Sequence, residues 1–570
     1  MKLPKTFFNN FSFKQVKHFL KNKKKRNFLI RIVLFVIFSF FSVWLMWFTF
    51  QYRDGQFVMR SRLWSDFAAH LPMIRSFSYG RNFPPEYPQF ANEPTHYHFL
   101  FYFLVGILER TGLNIACSLN LLSAIGLASL LIMIYKITEY FYGEDKKGSI
   151  SAGVFAVILF LFNSSLSFVD YFQENGVSMS SIVNIIHIDQ FINFGPWNGD
   201  DISAFWHWNV YTNQRHLALS FALCLLIIWP LIRIPKIQTL SKKAQFFLFA
   251  IFILLPFLNL AAYTIAVAMV IFWFLANPSL VKKYGLLYIL ALLFSLPSFY
   301  YYWRLNSSSI SLSYGFLAGS QSYFYIIYYW WRNLGLYLLF WPGLFVVSHK
   351  KLRKWMIMIT CFFVGANVFR LSTDMINNHK LINFFQLGYV IVLGVQFGRL
   401  WNKNLLFKII TLCLLVPLTL SGVMDASAII HDRQTFLPDP VHSSLGQWVL
   451  QKTPADSVFL TTHYLYNPVL LAGRKTYLDY GYFAWSMGYQ DKVRREKLPE
   501  FFSSTINKEK WCDLVKQEKI DYIYISEGKG DLSIDPRDSW LVLNNASVFN
   551  DGKDLVFSTE NICLSSNYSL

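Results

Sequence analysis

Within Trp64-Ser65-Asp66-Phe67-Ala68-Ala69-His70, a helix would carry Asp66 and His70 on one face. There a carboxylate can accept a proton and an imidazole can orient or share it. Arg75 follows further along the same run. Next comes Arg81-Asn82-Phe83-Pro84-Pro85-Glu86-Tyr87-Pro88, whose prolines impose an extended, rigid path. His96-Tyr97-His98 then leads into an apolar stretch. An interfacial helix with a hydrogen-bonded polar face would explain Asp66 and His70 without chemistry. Asp66, His70, His96 and His98 are also suitable ligand types for zinc or manganese, so a divalent metal could be a cofactor, although their spacing is not diagnostic. A second polar stretch holds Asp170, Glu174, Asp189, Asp200 and Asp201 and closes on Asn213-Gln214-Arg215-His216. Its acids could equally be a solvated face. A third places Arg370 and Asn377-Asn378-His379-Lys380 before a late apolar run. Cations at such places suit an anion at headgroup depth, and a guanidinium can hold a lipid phosphate through two hydrogen bonds. Charges near membrane depth are costly and usually functional, snorkelling helix ends being the plainer explanation.

The frame that must hold these residues is set by composition. The 570 residues are 54% hydrophobic, 19% aromatic and only 15% charged, against roughly 25% charged in an average soluble protein. Such a chain cannot build a water-soluble surface. That excludes a soluble enzyme, a disordered chain and a nucleic-acid binder, even at a net charge of +19. Phe28 to Phe50 is almost wholly apolar behind a basic flank that ends in Lys23-Lys24-Lys25-Arg26. It is too long for a signal peptide and reads as a first membrane helix, with residues 1–27 cytoplasmic. Further apolar stretches fall at about 114–138, 150–168, 216–234, 246–278, 284–302, 323–349, 355–370, 381–398 and 405–423. Lysines flank 246–278 at both ends, so it reads as two helices turning near Asn259.

About eleven crossings then alternate, with short basic loops inside. Longer loops at 51–113, 169–215, 303–322 and 371–380 lie outside, as does the tail from about Asp425. The expected fold is an α-helical multi-pass membrane module over 28–424, in contact with membrane lipids, plus an extracytoplasmic α/β domain over 425–570. In the tail, Trp448, Val458-Phe459-Leu460, Tyr477-Leu478 and Asp521 to Ser526 read as strands or strand ends, and Pro499 to Lys519 as helical. Cys512 and Cys563 both lie there and could form a disulfide. Cys117, Cys224, Cys361 and Cys413 read as packing residues.

This arrangement resembles the GT-C superfamily of membrane glycosyltransferases. The features that carry the resemblance are Ser65-Asp66 with His70 soon after the first helix, the proline-rich stretch, Tyr97-His98, Arg215-His216 opening a helix, and Asn377 to Lys380 before a late one. The tail is similar to the outer domain of bacterial members in Trp448, Thr453 to Ser457, Gly473-Arg474, and Tyr480-Gly481-Tyr482 with Trp485. The resemblance implies an inner-membrane enzyme that moves a sugar from a polyprenyl-phosphate or polyprenyl-diphosphate donor to a glycan, lipid or protein acceptor on the outer face. It implies Asp66 as the base of an inverting displacement, a reaction that needs no second carboxylate as nucleophile. In this reading His70 assists Asp66. Arg215, His216, Arg370, His379 and Lys380 face the donor phosphate. Arg75, Glu86, Tyr97, His98, Glu174, Tyr482 and Trp485 serve the sugar or acceptor. The Asp-Glu pair of the protein O-mannosyltransferase branch is absent, and Asp200-Asp201 is adjacent rather than spaced as Asp-x-Asp, so branch and metal use stay open. A flippase for lipid-linked saccharides, or an O-antigen ligase or polymerase, are the alternatives.

Overall fold

A computed structural model describes residues 23–163, 165–195, 205–206, 208–233, 240–306, 310–462, 465–527 and 535–564. Most of the basic N-terminus, and Asp200-Asp201, lie outside the described residues. The membrane module runs α1 (Lys23–Thr49), α2 (Trp64–Ser78), α3 (Leu100–Arg110), α4 (Ile115–Tyr142), α5 (Ser149–Leu161), α6 (Arg215–Arg233) and α7 (Lys242–Leu258). It continues with α8 (Leu260–Ala276), α9 (Ser279–Asn306), α10 (Tyr323–Leu334), α11 (Leu336–Val347), α12 (Lys350–Val368), α13 (His379–Trp401) and α14 (Leu405–Ile430).

Among the described residues, six helices are long and apolar enough to cross a membrane: α1, α4, α6, α9, α14 and the run Met375–Trp401 that contains α13. α5, α8 and α11 are apolar but shorter. Polar and glycine breaks explain why apolar stretches in the sequence outnumber long helices. Asn259 ends α7 in an extended conformation and caps α8, its side chain accepting from Ala262 N, a preferred job for Asn at a helix start. Gly335, at φ +54, separates α10 from α11.

α13 lies at the centre, buried from His379 to Gly398 except at Leu381. Its close fit to α5 depends on small residues. A Cβ added to Gly394 would stand 2.6 Å from that of Ala156, and one on Gly398 2.5 Å from that of Ala152. Without a hydrophobic drive between helices in lipid, such close backbone approach is what holds neighbours together. The first turn of α13, with His379 and Lys380, is therefore carried by a well-packed helix.

Two small sheets position the rest. Phe50–Arg53 and Gln56–Arg60 form a hairpin, and Gln434–Pro438, just beyond α14, adds antiparallel to Gln56–Arg60. The turn residues Asp54 (φ 50) and Gly55 (φ 72) both adopt the left-handed conformation that a tight hairpin needs. At the entry to α2, Asp432 accepts from Arg62 N (3.0 Å) and Ser61 Oγ (2.5 Å).

In the tail, a five-stranded sheet has the order Phe549–Asn550, Leu555–Ser558, Tyr522–Ile525, Val458–Thr461, Lys475–Thr476. The last three strands are mutually parallel and the other neighbours antiparallel. Trp448, expected on a strand, lies instead in the helix Ser444–Lys452. Tyr477 and Leu478 directly follow a strand. Helices Asp491–Phe501 and Lys508–Gln517 occupy the segment read as helical, and Cys512 is bonded to Cys563.

The tail is seated directly on the first loop. A Cβ on Gly80 would meet Gly473 O at 2.0 Å, and Gly473 itself has φ +81. Arg81 N donates to Ala455 O at 3.0 Å, Thr476 N to Pro88 O at 2.7 Å and Asp479 N to Gln89 O at 3.1 Å.

Candidate active site

Asp66 stands in the first turn of α2, where the helix dipole favours an acid. Burial pushes its carboxyl up to about 6, and the Lys380 charge pulls the other way. Among the described residues, no donor lies within hydrogen-bond reach of this carboxylate, and it forms no ion pair. Burial and then the Asp66 charge push the Tyr97 phenol up. The same charge is felt at Tyr102, Tyr466 and Tyr482. Asp66 is thus a half-buried carboxylate without a hydrogen bond, felt by phenols drawn from the first loop and the tail.

Lys380 supplies the facing cation. It is 7% exposed, and its Nζ donates to Asn377 Oδ1 at 2.8 Å. An ammonium has three protons, so donors remain. Lys380 also lies in the first turn of α13, where backbone N–H groups favour an anion. Asp374, in the loop just before it, acts on Lys380 electrostatically and accepts from Tyr482 Oη at 2.9 Å. Tyr482 packs against Trp485, rings 5.8 Å apart, and both are about two-fifths exposed.

Several expected site residues have other partners. Arg215, expected at the donor phosphate, is fully buried. Its guanidinium donates to Thr212 O (2.6 Å), Asn120 Oδ1 (3.0 Å) and Thr49 Oγ1 (2.9 Å), and its Nη1 also contacts Met46 Sδ. It fastens α6 to α1 and α4, and every nitrogen is occupied by protein. His379, expected beside it, uses both ring nitrogens, with Asn383 Oδ1 at 2.7 Å and Gln214 Nε2 at 3.1 Å. Arg75 is buried between Glu109 (3.1 Å) and Asp439 (2.7 Å), tying α2 to α3 and to the start of the tail. Glu86 accepts from Lys475 Nζ at 2.8 Å and Asn92 N at 2.9 Å, which makes it a tail anchor. Glu174 is exposed near the end of the helix Ser167–Asn175, with no partner that brings it to Asp66. Arg370 stays available: it is half-buried, and its Nε is buried without a hydrogen bond among the described residues. It pairs through its strand with Ser311.

His70 does not reach Asp66 by a hydrogen bond. It joins His98, His216, Tyr97 and Tyr102 in a buried cluster. His98 and His216 lie 4.3 Å apart between ring centres, and His70 and His216 6.2 Å. His216 Nδ1 is bonded to Tyr102 Oη at 3.0 Å, while among the described residues His70 Nδ1, His98 Nε2 and His216 Nε2 have no hydrogen-bond partner. Burial, with the Arg215 charge adding, pushes His70 down to about 3. Burial, then the Lys380 charge, holds His98 well below the ordinary value. His96 turns away and stacks on Tyr489 at 4.0 Å. Among the described residues no group of three His, Cys, Asp or Glu side chains could hold a metal ion.

Asp374, Tyr466 and Asp479 are not among the residues expected from the sequence. Asp374 offered a signal, being an acid inside the short loop already singled out for its cations. Asp479 is buried, its carboxyl pushed up to about 7 by burial against a hydrogen bond from Gln89. Gln89 Nε2 also donates to Ala68 O at 3.0 Å, linking this tail acid to α2 two residues beyond Asp66.

No protein-family model matches the sequence, and no curated protein matches it significantly. Among solved structures, ArnT from Cupriavidus metallidurans is similar in layout. The form bound to undecaprenyl phosphate covers 93% of this chain and 98% of that one, at 10% identity and a TM-score of 0.46. The apo form covers 93% and 97%, at 11% identity and a TM-score of 0.47. At those values no chemistry of this chain follows from the likeness.

Proposed function

We propose that this chain is an integral-membrane glycosyltransferase of the GT-C kind that uses a sugar linked to polyprenyl phosphate. One observation carries the reading: a half-buried carboxylate without a hydrogen-bond donor, Asp66, is close enough to feel the charge of Lys380, a buried ammonium with free donors, without pairing with it. Charges left apart in this way suit a substrate that joins them, a hydroxyl at one end and a phosphate at the other.

In the reaction, the acceptor hydroxyl oxygen attacks the anomeric carbon and its proton passes to Asp66. The bond from that carbon to the phosphate oxygen breaks, and the electron pair leaves with polyprenyl phosphate, whose charge Lys380 offsets. Arg370 is a second candidate cation on the phosphate side. Tyr97 and the Tyr482–Trp485 pair line the sugar side, since aromatic rings offer large apolar faces with a polar handle. Attack opposite the leaving group inverts the anomeric centre. The tail lies on the extracytoplasmic side, where Cys512 and Cys563 can stay oxidised. A divalent metal has no assigned place in this reading.

The test is mass spectrometry of lipid-linked sugars and surface glycans in cells with and without the protein. A lipid-linked sugar accumulates and a glycan loses one residue when it is absent. Unchanged pools of both contradict the reading.

A further inference from the structure

Asp374 poses a problem for the phosphate site proposed above. A carboxylate close enough to act on Lys380 could swing over and neutralise the charge the donor needs. The structure holds it back. Asp374 Oδ2 accepts from Tyr482 Oη at 2.9 Å, and Oδ1 accepts from Ile376 N at 3.2 Å. Both oxygens are occupied, and Asp374 and Lys380 form no ion pair. The same turn places the ammonium: Asn377 N donates to Asp374 O at 3.2 Å, and Asn377 Oδ1 takes Lys380 Nζ at 2.8 Å. Asn378 fixes its far end, donating to Ala366 O at 3.0 Å and accepting from Leu371 N at 3.2 Å. Tyr482 comes from the tail helix Gly481–Ser486, more than a hundred residues beyond this loop.

We infer that Tyr482 and Asp374 are positioning residues: the tail, through Tyr482, restrains Asp374 so that Lys380 stays unpaired and aimed at the donor's phosphate. The inference rests on the phosphate role of Lys380 and adds a dependence of that role on the docked tail. It makes the tail part of the donor site as well as a cover. An unrestrained Asp374 would compete with phosphate for one ammonium, and at short range in a partly buried site that competition is strong.

The test measures binding of undecaprenyl phosphate alone to the full-length protein in lipid nanodiscs. Tyr482→Phe removes the restraint and weakens binding roughly tenfold. Asp374→Asn keeps an acceptor for Ile376 N, offers its Nδ2 as a donor to Tyr482 Oη, and removes the competing charge, so it binds at least as tightly as wild type. The double variant Tyr482→Phe/Asp374→Asn recovers wild-type affinity, a rescue that a merely structural role for Tyr482 would not produce. Unchanged affinity in Tyr482→Phe, or a double variant as weak as that single one, overturns the inference. Should Tyr482→Phe fail to fold, weaker binding by Asp374→Asn overturns it alone. Unchanged affinity in Lys380→Ala removes the phosphate site itself and is a separate failure.

Discussion

At Asp66 burial and a neighbouring cation pull one carboxyl in opposite directions, and burial prevails, leaving it near 6. Such a group is ionised at neutral pH yet more basic than a surface aspartate, which suits it to take a hydroxyl proton. With the ionised form active, turnover falls as pH drops through about 6. A plot of log kcat/KM against pH shows that acid limb; a profile flat from pH 8 to pH 5 argues against Asp66 as base. Arg215 illustrates the opposite case, a cation whose donors are spent on Thr212, Asn120 and Thr49. Removing it strands buried acceptors, at about 1–3 kcal/mol for each group left unsatisfied. Arg215→Ala therefore lowers the unfolding temperature, read by thermal denaturation in detergent, while folded protein keeps its affinity for undecaprenyl phosphate.

Elements place these groups through contacts between distant parts of the chain, and that distance decides what a sequence can reveal. Asp66 just after the first apolar helix and Lys380 just before a late one were legible, because each is a charge beside a long apolar run. The division of 246–278 was legible from its lysine flanks and Asn259. The duties of Arg75 and Glu86 were not, since their partners Asp439 and Lys475 lie several hundred positions away. Asp374 was not legible, because the cations around it dominate its loop. The seat of the tail on the first loop depends on Gly80 against Gly473, a contact with no local pattern. Gly80→Ala puts a Cβ 2.0 Å from a carbonyl oxygen, so the tail must shift, and both unfolding temperature and sugar transfer fall. Gly319→Ala, where no atom of the described residues lies within 4 Å of the added carbon, leaves both unchanged. Equal behaviour of the two variants would mean the seat is not close-packed.

On the scale of the whole molecule, a bundle centred on α13 and a sheet-built tail close over one region, and each contributes to it. The bundle supplies Lys380, the first loop Asp66 and Tyr97, and the tail Tyr466 and Tyr482. In the proposed reading the net charge of +19 belongs chiefly to membrane orientation, and the reaction needs few cations in defined places. The central claim is that Asp66 takes the acceptor's proton. Its most direct test is single-turnover sugar transfer by purified Asp66→Asn, with folding checked by thermal denaturation and affinity for undecaprenyl phosphate measured alongside. The account predicts a loss of roughly 10²–10⁴-fold in rate with folding and affinity retained. Turnover within a few-fold of wild type would contradict it.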